Sequence, residues 1–185
     1  MATCKNDGGF QGGCMTRRAF LFRSGAAAVG TVVLPSLPGL GGTALAAQVA
    51  RYPRMKIGRL SALVTDKPVL FNYPDKGPSS QGVLVKLGVP AGGGIGPDED
   101  VVAFNAQCTH MGAPMSGNYQ PEHKALGACA FHQTSFDLRR HGMVIAGHAT
   151  ESLPQVLLEL KGDDIYAVGM LGLIWGRHDN LAGKA

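Results

Sequence analysis

Four residues in two short stretches constrain this chain more than any other feature. The first stretch reads Cys108-Thr109-His110 and the second Cys129-Ala130-Phe131-His132, with eighteen residues between His110 and Cys129. Each offers one thiol and one imidazole, so a small metal site can close on these two loops alone. A structural zinc ion also accepts two Cys and two His, but its loops usually pair like with like, Cys-x2–4-Cys on one and His-x3–5-His on the other. Here both loops are mixed. Two facing loops that each give one Cys and one His suit a two-iron centre, with both cysteines on one iron and both histidines on the other. A zinc-stabilised binding module, without visible absorption or redox activity, is the alternative from a different class.

On the strength of these motifs the sequence resembles the Rieske 2Fe-2S family. The resemblance implies one Rieske-type cluster held by Cys108, His110, Cys129 and His132, all four being at once the metal ligands and the cofactor-binding residues. It implies an iron on the two cysteines that stays ferric and an iron on the two histidines that cycles. No catalytic residue is expected on this chain, since no nucleophile, carboxylate pair or phosphate loop competes with the cluster motif. The glycines of Ala91 to Gly96 lack the strand, loop and helix context that a nucleotide site needs.

The start of the chain reads as an export signal. Thr16-Arg17-Arg18-Ala19-Phe20-Leu21 matches the twin-arginine signature, Ser24 to Ala50 carries no charge, and Ala44-Leu45-Ala46 forms an A-x-A cleavage site. Pro35, Pro38 and many glycines weaken this stretch as a membrane-spanning helix, which needs about 20 strongly apolar residues. Residues 1–46 are therefore expected to be a twin-arginine signal peptide, cleaved after Ala46, with retention as an anchor the lesser outcome. That route carries folded cargo, which suits a protein loaded with its cluster in the cytoplasm. Met15 stands directly before Thr16 and is read as the true start, which leaves Cys4 and Cys14 without a chemical role. A periplasmic location follows, with membrane contact only during export or through a retained leader.

Charge excludes one large class of function. Of the 17 basic and 13 acidic residues, Lys5, Arg17, Arg18, Arg23 and Asp7 belong to the leader, so the remainder is close to neutral. The basic balance is a property of the leader, and nucleic-acid binding is not expected.

Residues 47–185 have the texture of short strands. Val83–Leu87, Val101–Phe104, Val156–Leu160 and Ile165–Val168 are apolar or β-branched runs, Gly88–Pro97 is a glycine-rich connection, and Gly162-Asp163-Asp164 is a tight turn. No long helical periodicity competes. The fold expected is all-β and antiparallel. The Rieske resemblance adds a division of this domain into a base β-sandwich and a smaller inserted cluster-binding subdomain at about 105–142.

Around the motifs the family pattern is kept in part. Gly112, Gly117, Gly127 and Gly142 are candidates to let backbone amides approach the cluster sulfurs, although turn glycines account equally well for Gly117 and Gly127. Thr134 stands where quinol-oxidising relatives have a serine bonded to a bridging sulfide. Phe136 stands where they have a tyrosine bonded to a ligand cysteine, and that donor is lost. A donor to sulfur stabilises the more negative reduced state, so a potential below those relatives is expected, within a family range of about −150 to +300 mV. Those relatives also join their loops by a disulfide, at positions that here hold Ala113 and Phe131; Phe131 is expected to pack there and cover the cluster. His123, His141, His148 and His178 read as bystanders, and Trp175 as a packing residue.

The C-terminal third narrows the resemblance. Ser135-Phe136-Asp137, Gly147, Leu153-Pro154, Val156-Leu157-Leu158, Ala167-Val168-Gly169 and Gly172-Leu173-Ile174-Trp175-Gly176-Arg177 look like the small subunit of arsenite oxidase. That likeness implies the electron-transfer subunit of an oxidoreductase complex, partnered by a molybdopterin-containing large subunit, with a periplasmic cytochrome c or cupredoxin as electron acceptor. The Rieske subunit of a quinol-oxidising cytochrome complex is the first alternative, against which the missing disulfide pair and anchor count. A ferredoxin feeding an oxygenase is another, against which the export leader counts.

Overall fold

A computed structural model describes residues 51–181 of the chain. The segment expected to be a leader, with Arg17, Arg18 and the A-x-A site, lies outside the described residues, as do Cys4 and Cys14. Ten strands, β1 (Met55–Arg59), β2 (Val69–Asn72), β3 (Gln81–Lys86), β4 (Val101–Asn105), β5 (Tyr119–Gln120), β6 (Ala125–Leu126), β7 (Ser135–Asp137), β8 (Met143–Ala146), β9 (Gln155–Lys161) and β10 (Asp164–Leu171), are joined by turns and two single 3-10 turns. They form a six-stranded sheet in the order β1-β10-β9-β4-β3-β2 and a four-stranded sheet in the order β5-β6-β7-β8. Every paired strand is antiparallel. No described helix is long and apolar enough to cross a membrane.

The sequence pattern explains the layering. On β3, Val83 and Val85 pack into one apolar cluster while Leu84 packs into another, and on β4 Val102 and Phe104 divide from Val101 and Ala103 in the same way. Strands buried on both faces read as unbroken apolar runs rather than alternating ones. One cluster also takes Met55 and Ile57 of β1 and Phe71 of β2. Those strands are opposite edges of the large sheet, so the sheet curls to bring both onto one core. The other cluster takes Leu126, Phe136, Leu138 and both motif cysteines, so the small sheet covers the opposite face.

β4 and β9 are neighbours in the large sheet, through the pairs Ala103↔Val156 and Phe104↔Gln155. The whole small sheet is thus an insertion between two adjacent strands. It is tied back by Asp66, which accepts from Tyr119 Oη at 2.6 Å and from Lys124 Nζ at 2.7 Å. Lys124 and Tyr119 together hold the Asp66 carboxyl below the ordinary carboxylate range. Burial, with Asp66 adding, pushes the Tyr119 phenol above its own. At the other end, Arg177 donates to Asp75 at 2.7 Å and to Ser80 Oγ at 2.7 Å, clamping the C-terminal segment to the turn before β3.

Candidate metal centre

The first motif loop joins the large sheet to the small one, and the second lies within the small one. One runs from β4 to β5 and the other from β6 to β7, and both fold into the same ring. In the first, Cys108 N–H donates to Ala113 O at 2.9 Å and Gly112 N–H returns to Cys108 O at 2.8 Å. In the second, Cys129 N–H donates to Thr134 O at 2.8 Å and Gln133 N–H returns to Cys129 O at 2.9 Å. The fifth residue of each ring is in the left-handed region, Gly112 at φ 69° and Gln133 at φ 59°. The rings match although the histidine is two residues past the cysteine in one and three in the other. Sequence reasoning did not find this symmetry, because Gln133 breaks the glycine signal that a left-handed position usually leaves.

Inside the rings the four predicted residues meet in two pairs, cysteine with cysteine and histidine with histidine. Cys108 and Cys129 are free, buried and within hydrogen-bonding reach of each other. Burial pushes the Cys108 thiol above its ordinary pKa, and the neighbouring Cys129 adds to the rise. The backbone amides of His110 and Met111 oppose it by donating to the Cys108 sulfur. A cation is what would hold two such apposed thiols as thiolates. The rings of His110 and His132 meet edge to face, centroids 4.6 Å apart.

Both histidine Nδ1 atoms are buried and lack any hydrogen-bond partner. A buried polar atom without a partner costs about 1–3 kcal/mol, and two of them on neighbouring rings mark where metal ligands would be. Among the described residues no three His, Cys, Asp or Glu side chains converge as a single-metal site would have them. A centre with two ligands on each of two irons does not ask for such convergence. The residues present fit a two-iron cluster.

The Rieske [2Fe-2S] domain model matches residues 78–157. Over 171 residues the chain is 58% identical to the iodate reductase subunit IdrB of Denitromonas iodatirespirans, covering 92% of this chain and 89% of that one. This chain belongs to the Rieske family. Its cofactor is accordingly one Rieske-type 2Fe-2S cluster. A second IdrB, from Pseudomonas sp. strain SCT, is 57% identical over 163 residues, with 88% of this chain and 83% of that one covered. Among solved structures, the soluble domain of Rieske protein II (soxF) of Sulfolobus acidocaldarius superposes at a TM-score of 0.57. At 22% identity, over 69% of this chain and 82% of that one, the likeness is one of fold.

Several surrounding residues depart from expectation. The amides of Gly112, Gly127 and Gly142 donate to backbone carbonyls, of Cys108, Asn118 and Asp137, so any help these three glycines give the sulfurs comes through neighbouring amides rather than their own. At Cys108 the donors to sulfur are the ligand loop's own His110 and Met111, which the Cys-x-His spacing itself places around the thiol. Phe131 does not fill the place of a disulfide. Its ring is 58% exposed and stands edge-on to His132 at 6.3 Å, while Ala113 is buried. Phe136 is fully buried with both cysteines in one apolar cluster.

Non-covalent ties take the place of a covalent link between the Rieske loops. Thr109 Oγ1 donates to Glu151 O at 2.8 Å, and His148 N–H donates to Thr134 Oγ1 at 3.1 Å. Residues 148–151 thus hold one loop by each end. Trp175 lays its ring against Gly112, where a Cβ would meet ring carbon Cε3 at 2.2 Å. His148, read from the sequence as a bystander, stacks beside His110. His141 is structural, bonded to Gln155 at 2.7 Å, and His123 is exposed.

Proposed function

We propose that this chain is the Rieske electron-transfer subunit of an exported molybdopterin oxidoreductase whose large subunit acts on a small oxyanion. The pair of buried, unpartnered imidazole nitrogens, together with two apposed buried thiols from the same two loops, carries the reading. Cys108 and Cys129 would hold one iron through sulfur, and His110 and His132 the other through Nδ1. When bound, the cluster supplies storage for one electron at a potential that histidine ligation raises.

The chain's own residues do the rest. Burial of both cysteines keeps water from the sulfurs, and the amides of His110 and Met111 offset negative charge on Cys108. The Thr134 hydroxyl accepts from His148 and keeps its proton free to donate inward. The half-buried rings of His110 and His132 turn their outer edges to the surface, which gives electrons a way in or out beside the exposed Met111 and Phe131.

Iodate is the favoured substrate of the partner subunit, because the near-full-length relatives are named iodate reductase subunits. Arsenite is the second reading, on the C-terminal likeness to arsenite oxidase. The two differ in the direction of current. A reductase draws electrons from a periplasmic cytochrome c or cupredoxin through this subunit to the molybdenum partner, and an arsenite oxidase sends them the other way. The twin-arginine leader supports the periplasmic setting.

Iron and acid-labile sulfide analysis of the purified protein, with an EPR spectrum of the dithionite-reduced sample, tests the centre. Two irons, two sulfides and a rhombic signal are expected in the wild type and none in Cys129→Ser. One zinc and a silent spectrum would overturn the electron-transfer reading. Co-expression with the large subunit and assay of iodate reduction against arsenite oxidation then decides the substrate.

A further inference from the structure

Beyond the two ligand histidines, a third imidazole belongs to the same face. The His148 ring lies 5.7 Å from the His110 ring with 28° between planes, and 5.9 Å from the His132 ring at 75°. It is the exposed member of the trio, the other two being half-buried. The three rings make one continuous patch of conjugated surface, with Phe131 edge-on to His132 at its border.

His148 is held in place from below. Its backbone N–H donates to Thr134 Oγ1 at 3.1 Å. Gly147, at φ 97°, is pressed so closely on Thr134 that a Cβ there would come within 2.3 Å of the Thr134 Cα. Only glycine allows that approach, so the backbone carrying the imidazole is fixed to the second motif loop itself. An exposed side chain that makes no hydrogen bond among the described residues needs no such seating for stability. Its seating has a consequence for whatever lands on this face.

We propose that His148 is the outermost imidazole of the redox face, the ring that a one-electron haem protein meets when it exchanges an electron with the cluster through His110. This rests on the electron-transfer reading above. The exchange moves one electron and no atoms: a ferrous haem becomes ferric, and one of the two ferric irons becomes ferrous. Electron transfer weakens steeply with each ångström of non-bonded gap. A stacked ring that bridges the outer edge of His110 to the partner's haem edge therefore shortens the gap that limits the rate.

The test uses cluster-loaded protein as wild type, His148→Ala, His148→Phe and, as a control on an exposed imidazole that stacks on neither ligand ring, His123→Ala. Reduction potential and EPR spectrum are recorded for each, and stopped-flow absorbance follows reduction of the oxidised cluster by a ferrous soluble cytochrome c. The expected result is a several-fold slower second-order rate in His148→Ala, with potential and EPR signal unchanged. Much of the rate returns in His148→Phe, which keeps an aromatic ring, and none is lost in His123→Ala. An unaltered rate in His148→Ala overturns the proposal, as does a rate loss that its shift in potential fully accounts for. A wild type lacking the rhombic signal would instead bring down the electron-transfer reading itself, which keeps the two failures apart.

Discussion

Replacing Gly112 by alanine tests how the first motif loop is held. The position is left-handed, at φ 69°, which costs a residue with a Cβ roughly 1–2 kcal/mol. The new methyl would also stand 2.2 Å from Cε3 and 2.5 Å from Cζ3 of Trp175. Those are ring atoms with no flexible end to swing away, so the indole must move, and overpacking of this kind costs about 1–3 kcal/mol. The expected total is about 2–5 kcal/mol. In a Trp175→Ala background only the backbone part remains, so the two substitutions should be coupled by about 1–3 kcal/mol. Iron leaves only when the loop opens, so the rate at which visible absorbance bleaches in fixed guanidinium reads this strain, at about tenfold per 1.4 kcal/mol. Equal acceleration by Gly112→Ala with and without Trp175 would refute the claim that the indole braces the loop.

The matching left-handed position of the second loop is occupied by Gln133, at φ 59°. Gln133→Gly should relieve strain, after the entropy of the added glycine, by about 0.5–1 kcal/mol, and slow bleaching in the same assay; faster bleaching would count against it. Phe136→Tyr should raise the reduction potential in protein-film voltammetry by adding a donor beside the cysteines. An unchanged potential with lower unfolding resistance would mean that the hydroxyl is buried without a partner. Asp75→Asn should lower stability at neutral pH by about 2–3 kcal/mol, because it removes the charge that pairs with a partly buried, hydrogen-bonded Arg177 and puts an NH2 donor in place of one of the two acceptor oxygens. Arg177 holds the Asp75 carboxyl well below the usual range, with Ser80 and the Gly77 amide assisting. The pair's contribution is therefore fully present above the unfolded carboxylate pKa of about 3.9 and lost as pH falls below it. Chemical denaturation at pH 7 and pH 2.5 should show the Asp75→Asn deficit shrinking at the lower pH, and a constant deficit would refute the assignment.

The parts legible in the sequence were those whose signal is local. β3, β4, β9 and β10 announce themselves as apolar runs because their residues are buried, on β3 and β4 against two cores at once, and Gly162 marks the hairpin between β9 and β10. The four motif residues were legible because each loop carries its own Cys and His. β1 and β2 were not, since Lys56, Arg59 and Asn72 interrupt edge strands that bury one face at most. β5 to β8 were too short, two to four residues each, for any period to show. His148 could not be picked out at all. Its neighbours Thr134 and His110 lie 14 and 38 positions away, and nothing in Gly147-His148-Ala149 differs from an ordinary turn. Phe131 misled because an aromatic beside a ligand suggests cover, whereas its ring turns outward.

The pairing of β1 with β10 gives the order in which the molecule can be completed. Both motif loops, and the small sheet that positions them, are contained within about forty consecutive residues, so a nascent chain can build the cluster cradle early from short-range contacts. Met55↔Ala167 and Lys56↔Tyr166 join residues about 110 positions apart. The first strand of the described region thus waits, unpaired, until the last one is synthesised. A C-terminal truncation before Asp164 should therefore yield a chain that can still gather iron yet leaves β1 and β9 as open, sticky edges, which separates cofactor loading from the completion of the sheet.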